Sequence, residues 1–256
     1  MEALVFTFWQ AVKILSLAFL ALFAAKAVAN LPRGKGNSAS SHSTLKPFLY
    51  SLILALVVLG TWNAAYDVAA EIYFWESEPP PGPSHAARGY SNALQAVELR
   101  PGIERYWRAL LNSKMRLAQF QSALQDEPVF RTLNGGNLDE EDAYRFALCN
   151  YLLDRNDRTI AITQELIRRN PAYAAPYVVL GLAYTGEKKY SQAEESFLAV
   201  LRVFPDNQAA VEGLAHACFL AGDRARALAV LNDTAKFHFP PEARKRFEAL
   251  KGLYDQ

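Results

Sequence analysis

Cysteine, histidine and unbalanced charge are all scarce in this chain. Two cysteines, Cys149 and Cys218, are too few in 256 residues for a disulfide framework. Both fall inside helical patterns far apart in sequence and are expected as buried free thiols. The four histidines, His42, His85, His216 and His238, show no metal-ligand spacing and stand beside no nucleophile motif, so zinc chemistry and triad hydrolysis lack their residues. Lysine and arginine number 27 against 26 aspartates and glutamates, which leaves no global footprint for nucleic acid. Gly34 and Gly36 flank Lys35 without a preceding strand or the phosphate-loop spacing. The acidic run Asp139 to Asp142 reads as the capped, acid-rich start of a helix rather than a cation site. Asn232-Asp233-Thr234 is a glycosylation triplet on an expected helix, a match that arises often by chance. No catalytic residue, metal or cofactor is expected.

Apolar residues are concentrated at the start of the chain. Pro47 to Tyr66 carries no charge and is long enough to cross a hydrocarbon core of about 30 Å as a helix. Trp62, Tyr66, Tyr73, Phe74 and Trp75 give its outer end the aromatic content of a membrane–water interface. An earlier apolar segment, Ala3 to Leu31, is interrupted by Lys13 and Lys26. Ala27 to Asn30 has the small-x-small pattern of a signal-peptidase site, but the residues before it are apolar and begin with an acid. Cleavage would also leave Arg33, Lys35 and Lys46 outside, so an uncleaved helix is the favoured reading. Lys26 can then snorkel, and Lys13 needs water, a carboxylate or a neighbouring subunit.

The expected organisation is a first transmembrane helix over 1–32, a basic Ser-rich loop over 33–46, a second transmembrane helix over 47–75, a Pro-rich linker over 76–85 and a helical domain over 86–256. The loop carries Arg33, Lys35 and Lys46 and no acid, whereas Glu71, Glu76 and Glu78 flank the other end of the second span. The positive-inside rule therefore puts the loop in the cytoplasm and the helical domain outside it, in the periplasm of a Gram-negative cell. Glu78-Pro-Pro-Pro-Gly-Pro83 prefers an extended, semi-rigid conformation suited to a spacer.

From Ala174 a period of about 34 residues organises the sequence. In Tyr177 to Pro205, Tyr177, Leu180, Gly181 and Tyr184 are followed by Ala193, Phe197 and Pro205. This stretch resembles the tetratricopeptide repeat family closely, with small residues where two antiparallel helices cross and large ones on either side. Val211, Leu214, Ala215, Cys218, Ala227 and Leu231 repeat the scheme over 208–241. Ala143, Phe146, Ala147 and Pro171 keep it over 140–173, where Thr159 and Thr163 weaken the second helix. Over 104–139, Trp107, Leu110 and Ala123 fit, while Pro128 and the Asn134 to Asn137 loop depart from it. Residues 86–99 read as a lone second helix and 242–254 as a terminal amphipathic helix. The resemblance implies an all-α fold: two N-terminal transmembrane helices, then a right-handed solenoid of about four repeats with capping helices.

The resemblance also implies a concave groove lined by first helices. Its family positions fall on Arg105, Arg108, Asn112 and Arg116 at one end, Tyr144, Leu148, Tyr151, Val178 and Leu182 in the middle, and Glu212, His216 and Phe219 at the far end. Tyrosines beside arginines suit a protein partner. Arg108 and Asn112 are similar to part of the family's carboxylate clamp, but Ala175 and Val179 stand where that clamp needs polar groups, so no clamp is expected. The sequence thus points to a membrane-anchored scaffold, with membrane-embedded partners through the N-terminal helices. The second reading is an accessory subunit of a membrane enzyme complex, docked through those helices.

Overall fold

The computed structural model describes residues 42–77 and 83–255, with side chains described over 58–77 and from residue 85 onward. The first expected span, 1–32, lies outside the described residues, as do 33–41 of the basic loop and 78–82 of the linker. The chain divides into two units, Met1–Glu71 and Ile72–Gln256. Helix α1 runs His42–Glu76. Among the described residues no helix is long and apolar enough to cross a membrane. Of the apolar run Pro47 to Tyr66, only the part from Val58 onward has its side chains described.

The second unit is entirely helical among its described residues. After α2 (Pro83–Leu99) come α3 (Glu104–Arg116), α4 (Phe120–Leu124), α5 (Glu127–Leu133), α6 (Glu140–Tyr151), α7 (Asn156–Arg169), α8 (Ala174–Gly186), α9 (Tyr190–Leu201), α10 (Gln208–Leu220), α11 (Arg224–Asp233) and α12 (Pro241–Tyr254). Helix α2 begins three residues earlier than the sequence pattern places it. Each helix packs on the next, from α6 through α12. The first helices α6, α8, α10 and α12 also touch one another in turn, whereas α7, α9 and α11 contact chiefly the first helices around them. A stack whose first helices converge in this way curves with those helices on the inside.

Local chemistry sets the boundaries. Asp139, Asn207 and Asp223 cap α6, α10 and α11, their side chains accepting from the N–H groups of Asp142, Ala210 and Arg226 at 2.7–2.9 Å. Between the two helices of each repeat, one residue takes positive φ: Ala118, Asp154, Lys188 and Gly222. The next residue's N–H then reaches five residues back, as in Lys189 to Tyr184 O at 2.9 Å and Asp223 to Cys218 O at 3.0 Å. This is the Schellman ending of a helix. Glycine is its usual occupant, yet three of the four turns do without it. Gly186 is the last residue of α8, and it is Lys188, two residues on, that makes the turn.

Packing explains the small residues. Phe197 of α9 is fully buried and lies between two first helices. A Cβ on Gly181 would come within 2.7 Å of its ring, and one on Gly213 within 2.4 Å. Both glycines are therefore vacated space for one aromatic side chain, serving its own repeat and the following one. The core around it runs from Leu180 to Tyr254 and includes Ala193, Val200, Leu214, Leu231 and Phe247. A second, smaller core gathers Leu111, Ala123, Phe130, Phe146 and Leu166. The second helix of the 104–139 repeat is broken into α4 and α5, with Pro128 in the first turn of α5.

Candidate functional site: the inner face of the helical stack

The groove residues named from the sequence recur at steps of three or four, so each set forms one stripe along its helix. Tyr144, Leu148 and Tyr151 lie on α6, Val178 and Leu182 on α8, and Glu212, His216 and Phe219 on α10. Tyr144, Val178 and Glu212 occupy equivalent positions in successive repeats, as do Leu148, Leu182 and His216. Because α6, α8 and α10 are neighbours, the stripes form rows across the inner face. Its middle is apolar and aromatic, and all five central residues are half-buried.

The tyrosines here are neutral hydrogen-bonding groups at ordinary pH. Burial, and then the charge of Glu141, pushes the Tyr144 phenol upward. Tyr151 is raised by burial and by Asp154. Tyr173, whose ring lies 5.7 Å from that of Tyr144, is pushed up to about 12 by burial and by Glu141, which accepts its hydroxyl hydrogen bond at 3.2 Å. Tyr144 and Tyr151 therefore offer hydroxyl donors beside apolar surface, the amphipathic combination that favours tyrosine in protein contacts.

The α3 end serves a different purpose from the one its sequence suggests. Arg108 is not a free groove cation. Its Nε and Nη2 donate to both oxygens of Asp142 at 3.0 and 2.8 Å, and its Nη2 also binds Asp139 and Glu104. Asp142 is fully buried and receives Arg145 Nη1 at 3.0 Å as well. Arg108 thus clasps the first repeat to the second, and the three acids hold its guanidinium well above its usual range. Glu104, Asp139 and Asp142 bring their carboxylates within 4.8 Å of one another, as a cation site would. The guanidinium already supplies that positive charge. Arg105 lies over the rings of Phe74 and Tyr106, at 5.3 and 5.2 Å from their centroids. Asn112 is half-buried and Arg116 exposed on the same helix.

The far end is covered. Tyr254, the last residue of α12, is 1% exposed and stacks on Phe219 with centroids 4.3 Å apart. Its hydroxyl lies 3.3 Å from His216 Nδ1. Glu212 accepts from Gln208 Nε2 at 2.8 Å. Helical periodicity marks the terminal helix as a cover for the last repeat, but it does not show that Tyr254 fills this end of the groove. An aromatic residue closing an amphipathic helix is the one available signal. The open part of the inner face therefore runs from α3 to α8.

Residues 184–246 match the tetratricopeptide repeat family. Among solved structures, a tetratricopeptide repeat protein from Parabacteroides merdae ATCC 43184 superposes with a TM-score of 0.63 at 14% identity, over 92% of this chain and 86% of that one. A thermophilic tetratricopeptide repeat protein of Thermus thermophilus gives 0.53 at 16% identity, over 65% and 90%. YrrB, described as a tetratricopeptide repeat protein with an unusual peptide-binding site, gives 0.50 at 14%, over 65% and 84%. No curated protein matches the sequence. At such identities the likeness is one of fold: the helical unit is a tetratricopeptide-type solenoid.

Proposed function

We propose that this protein is a membrane-anchored scaffold whose inner helical face gathers protein partners and assembles a membrane-associated complex. The observation that carries the reading is the row of Tyr144, Leu148, Tyr151, Val178 and Leu182. It is an apolar and aromatic strip with phenolic donors, on rigid neighbouring helices, where a peptide or a partner helix can lie. The role assigned to this strip is binding.

The anchor rests on the sequence of the two apolar segments and on one feature of α1. Leu59, Val68, Ile72 and Trp75 are between 53% and 73% exposed, an unusual density of large apolar groups facing outward on one helix. Lipid, or the spans of a partner, would cover them. The loop charges Arg33, Lys35 and Lys46 favour repeats outside the cytoplasm, in the periplasm of a bacterial cell. Protease added to intact spheroplasts tests this: degradation of the repeats with survival of the 33–46 loop is the expected result. Repeats that resist until the membrane is opened would reverse the orientation.

The second reading, an accessory subunit docked through its helices, is favoured by Lys13, a charge deep in the first expected span that calls for a membrane partner. One experiment separates the two readings. A partner retained by a fragment spanning 86–256 supports the groove, and a partner retained only by the full chain supports docking through the helices.

A further inference from the structure

Between α7 and α9, on the outer side of the stack, lies an open cleft of about 430 Å³. Leu180 and Tyr184 of α8 line it, with Ile167 and Gln164 from α7 and Ser196 and Ala199 from α9. One repeat further on, Leu198, Leu201 and Val230 stand at the positions of Gln164, Ile167 and Ser196; all three are apolar and pack against the core. The cleft is thus distinguished by particular side chains, a glutamine and a serine where the next repeat has leucine and valine.

Its polar groups are arranged along the cleft. Gln164 Nε2 donates to the Tyr184 hydroxyl at 2.9 Å, which uses one of its donors and leaves its carbonyl oxygen available. Gln192 and Glu195 on the α9 side and Tyr177 of α8 also line the space, so the cleft carries one exposed acid, two turns of α9 before Arg202. Arg168 and Arg202 hold equivalent positions at the ends of α7 and α9 and mark one end of the cleft. Arg168 is paired with Glu165, whereas Arg202 has no carboxylate partner among the described residues.

We propose that this cleft is a second protein-binding site, taking an extended peptide segment in which an apolar side chain is followed by a carboxylate. The apolar side chain would lie against Ile167, Leu180 and Ala199. The glutamine amides match the N–H and C=O groups of an extended backbone, and Arg202 matches the carboxylate in charge and fork geometry. The volume falls in the range of ligand-sized sites, enough for one or two side chains. The cleft lies on the opposite side of the stack from Tyr144 and Tyr151, so the scaffold can hold two partners at once.

The test is anisotropy of two fluorescein-labelled nonapeptides titrated with the full chain in detergent micelles, one with a central Leu-Asp and one with Leu-Lys in its place. The Leu-Asp peptide is expected to bind saturably and the Leu-Lys peptide at least tenfold more weakly. Arg202→Glu, an exposed change, should weaken the Leu-Asp peptide at least tenfold. Ala199→Trp, which fills the cleft, should abolish binding with the helical circular dichroism unchanged. The double change Tyr144→Ala, Tyr151→Ala should leave it intact. Absence of saturable binding, equal binding of both peptides, or indifference to Arg202→Glu would overturn the proposal. Loss of binding in the tyrosine double variant alone would assign the peptide to the inner face, and displacement by equimolar inorganic phosphate would reduce the cleft to a simple anion site.

Discussion

In the third repeat, α8 meets α9 across Gly181 and the fully buried ring of Phe197; in the first, α3 faces its broken second helix across Lys114 and Asp126, joined at 2.6 Å and both under one-tenth exposed. Lys114 holds the position that Tyr184 holds two repeats later. The third repeat is specified by size, a large ring against two absent side chains. The first is specified by charge, in a smaller core where the Ser113 hydroxyl is also buried without a partner among the described residues. Size complementarity stabilises through burial and dispersion. A buried ion pair contributes mainly position, because desolvation offsets most of its attraction.

The largest expected effect is in the third repeat. Phe197→Ala should cost about 3–5 kcal/mol, since it empties space between two first helices and uncouples two repeats. Chemical denaturation of the variant should show a lower midpoint and a less cooperative transition. A single transition with an unchanged midpoint would remove Phe197 from the centre of the packing.

The matching change in the first repeat is Lys114→Met, expected to cost about 3 kcal/mol at neutral pH by leaving Asp126 buried and alone. The double variant Lys114→Met, Asp126→Leu should recover most of that loss. The pH dependence has a definite sign. Burial already raises the Asp126 carboxyl, with Lys114 opposing the rise. Without the lysine its folded value climbs further, so the folded state takes up a proton more readily than the unfolded one. The penalty in the single variant is then present above that raised value and shrinks as pH falls through it. Melting curves from neutral pH into the mildly acidic range check this, and a penalty that grows on acidification would contradict it.

Gly181→Leu should overpack the same crossing by about 1–3 kcal/mol, and Phe197→Leu in the same chain should relieve part of it. Additive losses in the double variant would mean that the two residues do not share one space. The smallest effect concerns the turns. Lys188→Gly should stabilise by up to about 1 kcal/mol, because Lys188 holds a left-handed conformation that glycine adopts freely. The equivalent turn already has Gly222, and Gly222→Lys should lose a similar amount. Thermal melts of both variants check the pair.

The same contrast explains what the sequence could and could not reveal. Tyr177, Leu180, Gly181, Tyr184, Ala193 and Phe197 announce the third repeat because its packing depends on side-chain volume at fixed spacing, which one sequence displays. The repeat pattern selects Ala215 and passes over Gly213, since the space that glycine vacates belongs to a ring in the preceding repeat. The turns at Ala118, Asp154 and Lys188 carry no glycine, so only the backbone shows them. Lys114 and Asp126 are twelve residues apart and read as two surface charges until folding buries them together. Among the groove positions, Tyr144, Leu148, Tyr151, Val178 and Leu182 lie on the inner face as rows. Arg108 and Phe219 lie there too but are engaged by Asp142 and Tyr254, partners that single-helix periodicity cannot supply.

Partners held on the inner face should be open to capture by site-specific photocrosslinking. A photoreactive residue placed at Leu148 or Leu182 in the full chain, activated in native membranes, should give discrete partner adducts. Those adducts should be lost when Tyr144 and Tyr151 are both changed to alanine. The same residue at Arg158 or Ala229, exposed on the outer helices α7 and α11, should not give those adducts. Adducts that arise equally from the outer positions, or that survive the tyrosine changes undiminished, would contradict binding on the inner face.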